Sequence, residues 1–201
     1  MRRIFCIGRN YGEHAKELGN SIPKEPIIFM KPESSLVFNQ CSFCIPKSGY
    51  VLHHEVEVVI ELSGRTSGNL SDKISGVTLG VDLTLRDLQL KLMNEGLPWE
   101  RAKSFDESAL LGELKPLTEK INLANLVFDL KINGELRQQG NTKDMLNNIE
   151  TLIESVAAGW NLMPGDLIYT GTPKGVSSLK PGDRLVASSP VLGEFFWDLK
   201  K

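Results

Sequence analysis

At 201 residues, with 41% hydrophobic and 24% charged side chains, the chain has the balance of a globular protein able to bury one substantial core. A formal net charge of −2 offers no electrostatic footprint for nucleic acid or an acidic membrane, and no apolar run approaches the roughly 18 residues of a spanning helix. Met1 to Ile7 is too short before Gly8-Arg9 to be a signal peptide, so the expected location is the cytoplasm. Cys6, Cys41 and Cys44 are an odd number in such a chain and are read as free thiols. Cys41-Ser42-Phe43-Cys44 has the spacing of half a zinc site but lacks a second half.

Arg3 to Ile7 reads as an opening strand, and Gly12 to Leu18 as a brief helix stopped by Gly19. On that helix His14 and Glu17 stand three apart, hence on one face. A carboxylate there would orient the imidazole as a general base, the bland alternative being a solvated pair. Residues 10–26, with Gly12 and Gly19 as hinge-capable positions, form a candidate mobile lid. Ile27 to Lys31 is an apolar strand ended by Pro32, leaving Lys31 at its edge to meet an anionic ligand or water.

Leu52 to about Leu62 predicts a long strand. Its period of two sets Glu55 and Glu57 on one face and Val56, Val58 and Ile60 on the other. The two carboxylates would line the wet side of a sheet, unless a third acid joins them to form a pocket of hard oxygen ligands. Gly76 to Asp82 is a buried-strand pattern whose internal glycine marks close backbone approach and whose polar end is Asp82. A helix follows from about Leu85 to Asn94, with Arg86 and Gln89 sharing a face. Gly96-Leu97-Pro98-Trp99 breaks it. Lys103 then sits among small residues as a positioned cation or a surface lysine. Ala109 to Leu111 and the Pro116 region look like short edge elements.

Asn133-Gly134 between alternating runs predicts a hairpin, Asn148 caps a helix from Ile149 to about Ala158, and strands recur at Leu167 to Thr170, Arg184 to Ser188 and Glu194 to Leu199. Between them, Gly171-Thr172-Pro173-Lys174-Gly175 can offer backbone N–H groups and hydroxyls to an anion without being a Walker loop. Many short strands and about three helices in non-alternating order predict a β-rich α+β fold.

Taken together, in order, these motifs resemble the fumarylacetoacetate hydrolase family, and within it the short acylpyruvase and oxaloacetate-decarboxylase branch. The stretches that carry the resemblance are Gly8-Arg9-Asn10-Tyr11 with His14 and Glu17, Phe29-Met30-Lys31-Pro32, His54-Glu55-Val56-Glu57, Asp82 with Arg86, Asp87 and Gln89, Gly96-Leu97-Pro98-Trp99 with Ala102-Lys103-Ser104-Phe105, Asn133-Gly134-Glu135, and Thr170 to Val176. The resemblance implies a rolled mixed β-sandwich with a few short helices, spanning 1–201 as a single catalytic domain and forming a homodimer. The resemblance is to the compact form of the family, which lacks the small N-terminal domain of longer members; Asn39 to Cys44 lacks the Gly-Pro turn common in the family, and Gly64 to Ile74 is shorter than usual.

The resemblance further implies a divalent ion held by Glu55, Glu57 and Asp82: Mg²⁺, or Mn²⁺, with Ca²⁺ able to occupy the site. His14, Glu17 and Lys103 are its catalytic residues, and Arg9, Lys31, Arg86, Gln89 and Thr172 its substrate contacts. A 2-oxo acid can chelate such an ion, which stabilises an enolate next to the keto carbon. Water activated by His14 would then cleave a carbon–carbon bond in an acylpyruvate, such as acetylpyruvate or fumarylpyruvate, to pyruvate and a carboxylic acid. The alternatives are oxaloacetate decarboxylation or keto–enol tautomerisation through the same enolate, and a non-catalytic metal- or carboxylate-binding module.

Overall fold

β-branched and aromatic runs punctuated by Gly, Pro and Asn become strands along most of the chain. The computed structural model describes residues 2–17, 19, 23–44, 46, 49–65, 67–118 and 120–200. In chain order the elements are β1 (Ile4–Gly8), α1 (Gly12–Glu17), β2 (Ile27–Lys31), β3 (Leu36–Phe38), β4 (Ser42–Phe43), β5 (Leu52–His53), β6 (Val56–Ser63), α2 (Leu70–Lys73), β7 (Ile74–Asp82), β8 (Thr84–Leu85), α3 (Arg86–Asn94), α4 (Glu100–Lys103), β9 (Ala109–Leu111), β10 (Val127–Ile132), β11 (Glu135–Asn141), α5 (Ile149–Gly159), β12 (Pro164–Tyr169), β13 (Arg184–Ser189) and β14 (Gly193–Leu199). Seven strands form one sheet in the order β2-β1-β12-β6-β7-β9-β3, five form a second in the order β11-β10-β13-β14-β4, and β5 pairs with β8. Most pairings are antiparallel; β1 with β12, β3 with β9 and β14 with β4 are parallel. The fold is α+β, strand-rich and mixed, with few short helices, as expected.

Between the two large sheets lies the main core, in which Val58, Ile60, Leu79 and Val81 meet Phe128, Leu130 and Trp197. The other face of the seven-stranded sheet is also buried, by Ile4, Cys6, Val59, Leu167 and Tyr169. Each fully buried aliphatic side chain contributes about 1.5–3 kcal/mol. That second face is where Glu57 must point, since it shares the period-two side of Val59. Gly80 stands opposite Glu57 in the β6–β7 ladder. A Cβ there would come within 2.8 Å of the Tyr169 ring and 2.6 Å of the Leu110 carbonyl, the close approach its position in the strand predicts.

Three expectations need correction. The predicted Leu52–Leu62 strand is broken at His54-Glu55, because its first residues turn aside to pair with β8 while the rest pair with β7. Ala109 to Leu111 is not an edge element: β9 lies between β7 and β3, and its Leu110 and Leu111 are buried. Lys103 does not follow a simple break but closes an unexpected helix, α4, which four residues are too short to announce by periodicity. The brief N-terminal helix forms as α1; residues 18 and 20–22 of the candidate lid lie outside the described residues. Asn133-Gly134 makes the expected hairpin, with φ of 53° and 85° at the two positions.

Candidate active site

The antiparallel register of β6 and β7 brings the beginning of one strand beside the end of the other. The Asp82 amide donates to the Glu55 carbonyl at 2.8 Å, so three carboxylates meet at one corner of the sheet. One oxygen from each of Glu55, Glu57 and Asp82 lies within 4.8 Å of the others, and all three residues are buried. They face a cavity of about 40 Å³, which is also lined by Arg9, His14, Phe29, Arg86, Gln89, Met93, Trp99, Lys103 and Thr172.

Three cations pair with two of the acids, Glu55 and Asp82. Lys103 Nζ lies 2.7 Å from Glu55 Oε2 and 2.8 Å from Asp82 Oδ2, Arg86 pairs with Glu55 Oε1 and donates to Gln89 Oε1 at 2.7 Å, and Lys31 Nζ lies 2.8 Å from Asp82 Oδ1. Burial disfavours the charged form of Glu55, but Lys103, Arg86 and His14 outweigh it and hold the carboxyl well below the usual carboxylate range. Burial also opposes the charge of Lys103, and Asp82 and Glu55 reverse that effect and raise its pKa. Glu57 behaves oppositely. Burial, then the charges of Asp82 and Glu55, push its pKa well above the ordinary value, although the Gly171 amide donates to Oε2 at 2.7 Å. Among the described residues Glu57 pairs with no lysine or arginine, so the corner still lacks positive charge on that side. An all-oxygen, buried donor set with one under-compensated carboxylate fits a hard divalent cation.

The dyad expected on α1 is formed. His14 Nδ1 lies 3.3 Å from Glu17 Oε2, so the Nδ1 proton faces the carboxylate and the lone pair falls on Nε2. Burial lowers the His14 pKa despite Glu55 and Glu17, which keeps the imidazole neutral and basic near neutral pH. Glu17 is itself held by the Gly175 amide, at 3.0 and 3.2 Å.

Other predicted contacts sit differently. Lys31 is not at an exposed strand edge; it is 1% exposed and lies behind Asp82, donating to the carbonyls of Leu83 and Lys103 and to Ser108 Oγ. Pro32 ends the strand, but Leu83, the end of α4 and the Phe105 and Ser108 side chains close over the lysine. The amides of the Gly171–Gly175 turn do take anions, yet these are the chain's own Glu57 and Glu17. Thr172 lines the cavity, but its hydroxyl donates to the Val56 carbonyl at 2.8 Å. Arg9 lines the cavity from a left-handed backbone position, φ 59°, and among the described residues its guanidinium has no ion pair. Cys41 and Cys44 are exposed and flank β4, and no acid or histidine joins them in a metal-holding group among the described residues.

Sequence reasoning missed Gln138. It is 1% exposed on β11 and makes four hydrogen bonds around the start of β6. A glutamine at an inward position of an otherwise exposed strand was the available signal.

Curled strand layers surround a buried cluster of three carboxylates, a His–Glu dyad and a lysine, an acid, a base and a cation facing one cavity. Comparison with known proteins narrows the class. The family model described as fumarylacetoacetate (FAA) hydrolase C-terminal matches residues 3–196. An oxaloacetate tautomerase of Escherichia coli (strain K12) is 39% identical over 193 residues, covering 94% of this chain and 88% of that protein. A mitochondrial oxaloacetate tautomerase of Arabidopsis thaliana is 39% identical over 203 residues, covering 99% and 91%. Among solved structures, fumarylpyruvate hydrolase from Pseudomonas aeruginosa in complex with Mn²⁺ and pyruvate aligns with a TM-score of 0.92 at 30% identity, covering 100% of this chain and 90% of that one. The chain belongs to the fumarylacetoacetate hydrolase family. No helix among its described residues is long and apolar enough to cross a membrane.

Proposed function

We propose that the protein is a divalent-metal-dependent enzyme on small 2-oxo acids and that its principal reaction is keto–enol tautomerisation of oxaloacetate. The observation that carries this is the convergence of Glu55, Glu57 and Asp82 on the cavity that His14 also lines. The two relatives at 39% identity favour tautomerisation over the hydrolysis that the sequence motifs put first.

Glu55, Glu57 and Asp82 would hold Mg²⁺ or Mn²⁺, with Ca²⁺ as another occupant. The ion when bound supplies Lewis acidity toward the carboxylate and keto oxygens of the substrate. His14 Nε2 takes a proton from the carbon beside the keto group. The C–H electrons become the carbon–carbon double bond, negative charge moves to the keto oxygen, and Lys103 faces that charge. Return of a proton to the oxygen completes the enol. Arg86 and Gln89 orient the substrate, and Arg9 receives its distal carboxylate. Within the candidate lid, residues 10–17 carry His14 and Glu17 on α1. A homodimer in the cytoplasm, without nucleic-acid or membrane partners, completes the proposal.

Hydrolysis of acylpyruvates is the second possibility, favoured by the likeness to the fumarylpyruvate hydrolase structure and by a dyad suited to activating water. One set of assays separates them. Metal-stripped protein reloaded with Mg²⁺ or Mn²⁺ should speed the interconversion of oxaloacetate enol and keto forms, followed by ultraviolet absorbance, and chelation should abolish the effect. His14→Ala should lower the rate by about 10²–10⁴-fold while leaving Mn²⁺ affinity unchanged. Turnover of acetylpyruvate or fumarylpyruvate without any acceleration of oxaloacetate tautomerisation would establish the hydrolase instead.

A further inference from the structure

The strand that carries Glu57 loses a neighbour just where the site begins. The β6–β12 ladder ends at the pair Val59–Tyr169, after which Thr170 bonds the Val58 carbonyl through both its amide, at 3.1 Å, and its hydroxyl, at 2.8 Å. Beyond that point the chain after β12 turns away. On its other side Val56 still pairs with Val81 of β7. The Val56 peptide groups facing the departed strand therefore need other partners, and Val56 is the residue between the two glutamates.

Gln138 provides them. Its Oε1 accepts from the Val56 amide at 3.0 Å, and its Nε2 donates to Thr172 Oγ1 at 2.9 Å, whose hydroxyl in turn donates to the Val56 carbonyl at 2.8 Å. One carboxamide and one hydroxyl thus replace a strand at a single residue. The orientation of the amide is unambiguous, because Val56 N–H can only donate and the Pro173 carbonyl, 2.9 Å from Nε2, can only accept. The second lone pair of Oε1 then takes His54 Nδ1–H at 2.8 Å, which leaves His54 Nε2 to accept from Ser177 Oγ at 2.8 Å. All four hydrogen-bonding positions of a side chain that is 1% exposed are filled, and every partner lies within one or two residues of Glu55, Glu57 or the turn that holds Glu57.

We infer that Gln138 is a positioning residue for the carboxylate site: reaching from the β10–β11 hairpin, it holds the Val56 peptide, the His54 ring and Thr172 in the geometry that aims Glu55 and Glu57 at one point. The inference rests on the proposal that these carboxylates hold a divalent ion. Groups hydrogen-bonded to metal ligands typically matter to metal affinity by about 10–100-fold when removed, and Gln138 acts one bond further out, through Val56 and Thr172.

Mn²⁺ alone is the probe, titrated into metal-stripped protein with free Mn²⁺ read by electron paramagnetic resonance. Failure of the wild type to bind would refute the metal site itself and not the role of Gln138. Given wild-type binding, Gln138→Leu should raise the Mn²⁺ Kd about 10-fold, the low end of the range for groups that touch the ligands themselves, whereas Gln139→Leu, on the neighbouring exposed position of β11, should leave it unchanged. His54 gives an independent reading. Its ring-nitrogen signals in a long-range ¹H–¹⁵N spectrum should report the Nδ1–H tautomer in the wild type and lose it in Gln138→Leu. Should Gln138→Leu fail to fold, Thr172→Val keeps the side-chain shape, removes only the hydroxyl link, and should still weaken Mn²⁺ binding several-fold. A folded Gln138→Leu with wild-type Mn²⁺ affinity, or, where that variant does not fold, a folded Thr172→Val with wild-type affinity, would overturn the assignment.

Discussion

At the scale of single residues the site is a balance of buried charges. Two of the three acids, Glu55 and Asp82, are paired with Lys31, Arg86 and Lys103, so removing one member leaves a charge without its partner, which costs far more than the pair contributes. Lys31→Met is the clearest case. The ammonium is fully buried behind Asp82, Met fills nearly the same volume, and Asp82 Oδ1 is left facing a thioether. The variant should lose about 3–5 kcal/mol of stability, toward the lower end because Lys103 still pairs with Oδ2; urea unfolding measures it. A loss below 1 kcal/mol would mean that the pair is not desolvated as the burial implies. The position of Lys31 was legible as a cation at the end of a strand, but its role was not. Whether a strand-end lysine meets solvent or a carboxylate depends on what packs over it.

At the scale of elements, local chemistry decides where the chain starts and stops. Asn148 takes extended dihedrals and its side chain accepts from the Thr151 amide at 2.9 Å, capping α5, whose Ile149, Leu152, Ile153 and Val156 are buried. Asn148→Ala removes that acceptor and should cost about 1 kcal/mol, seen as a fall in Tm of about 2–4 °C for a chain of this size. Such signals were readable because they act within four residues. The break at His54-Glu55 and the interior placement of β9 were not, since strand neighbours lie tens of residues away and nothing local distinguishes an edge run from a central one. Likewise the Gly171–Gly175 turn announced free amides, but only the folded chain shows that Glu57 and Glu17 occupy them.

For the whole molecule, three histidines kept neutral by burial, full at His14 and His54 and partial at His53, tie stability to pH. Burial comes first among the causes that lower His14, His53 and His54, and His53 is lowered to about 4 with Arg86 and His54 as further causes. A group whose folded pKa lies below its unfolded value stabilises the fold above the unfolded pKa and loses that contribution as pH falls through the folded one. For His53 the window runs from about 6.5 down to about 4. The stability of the wild type relative to His53→Gln should therefore shrink between pH 7 and pH 4.5, measured as the difference in urea midpoints at each pH. Parallel curves would mean that His53 titrates alike in both states.

By itself the sequence determined the strand-rich α+β character, most element boundaries and the list of acids, dyad and lysine. Periodicity, caps and turn residues act locally, and a short run of motifs in order is enough to identify the family. Tertiary structure alone decided which of those charges meet. Antiparallel register set Asp82 against Glu55, closure of α4 brought Lys103 between two carboxylates, and a hairpin some eighty residues away delivered Gln138 to the peptide between the glutamates. The physical reason is that desolvated charges and unpaired peptide groups are compensated by whatever the fold brings near, and that neighbour is not a neighbour in sequence.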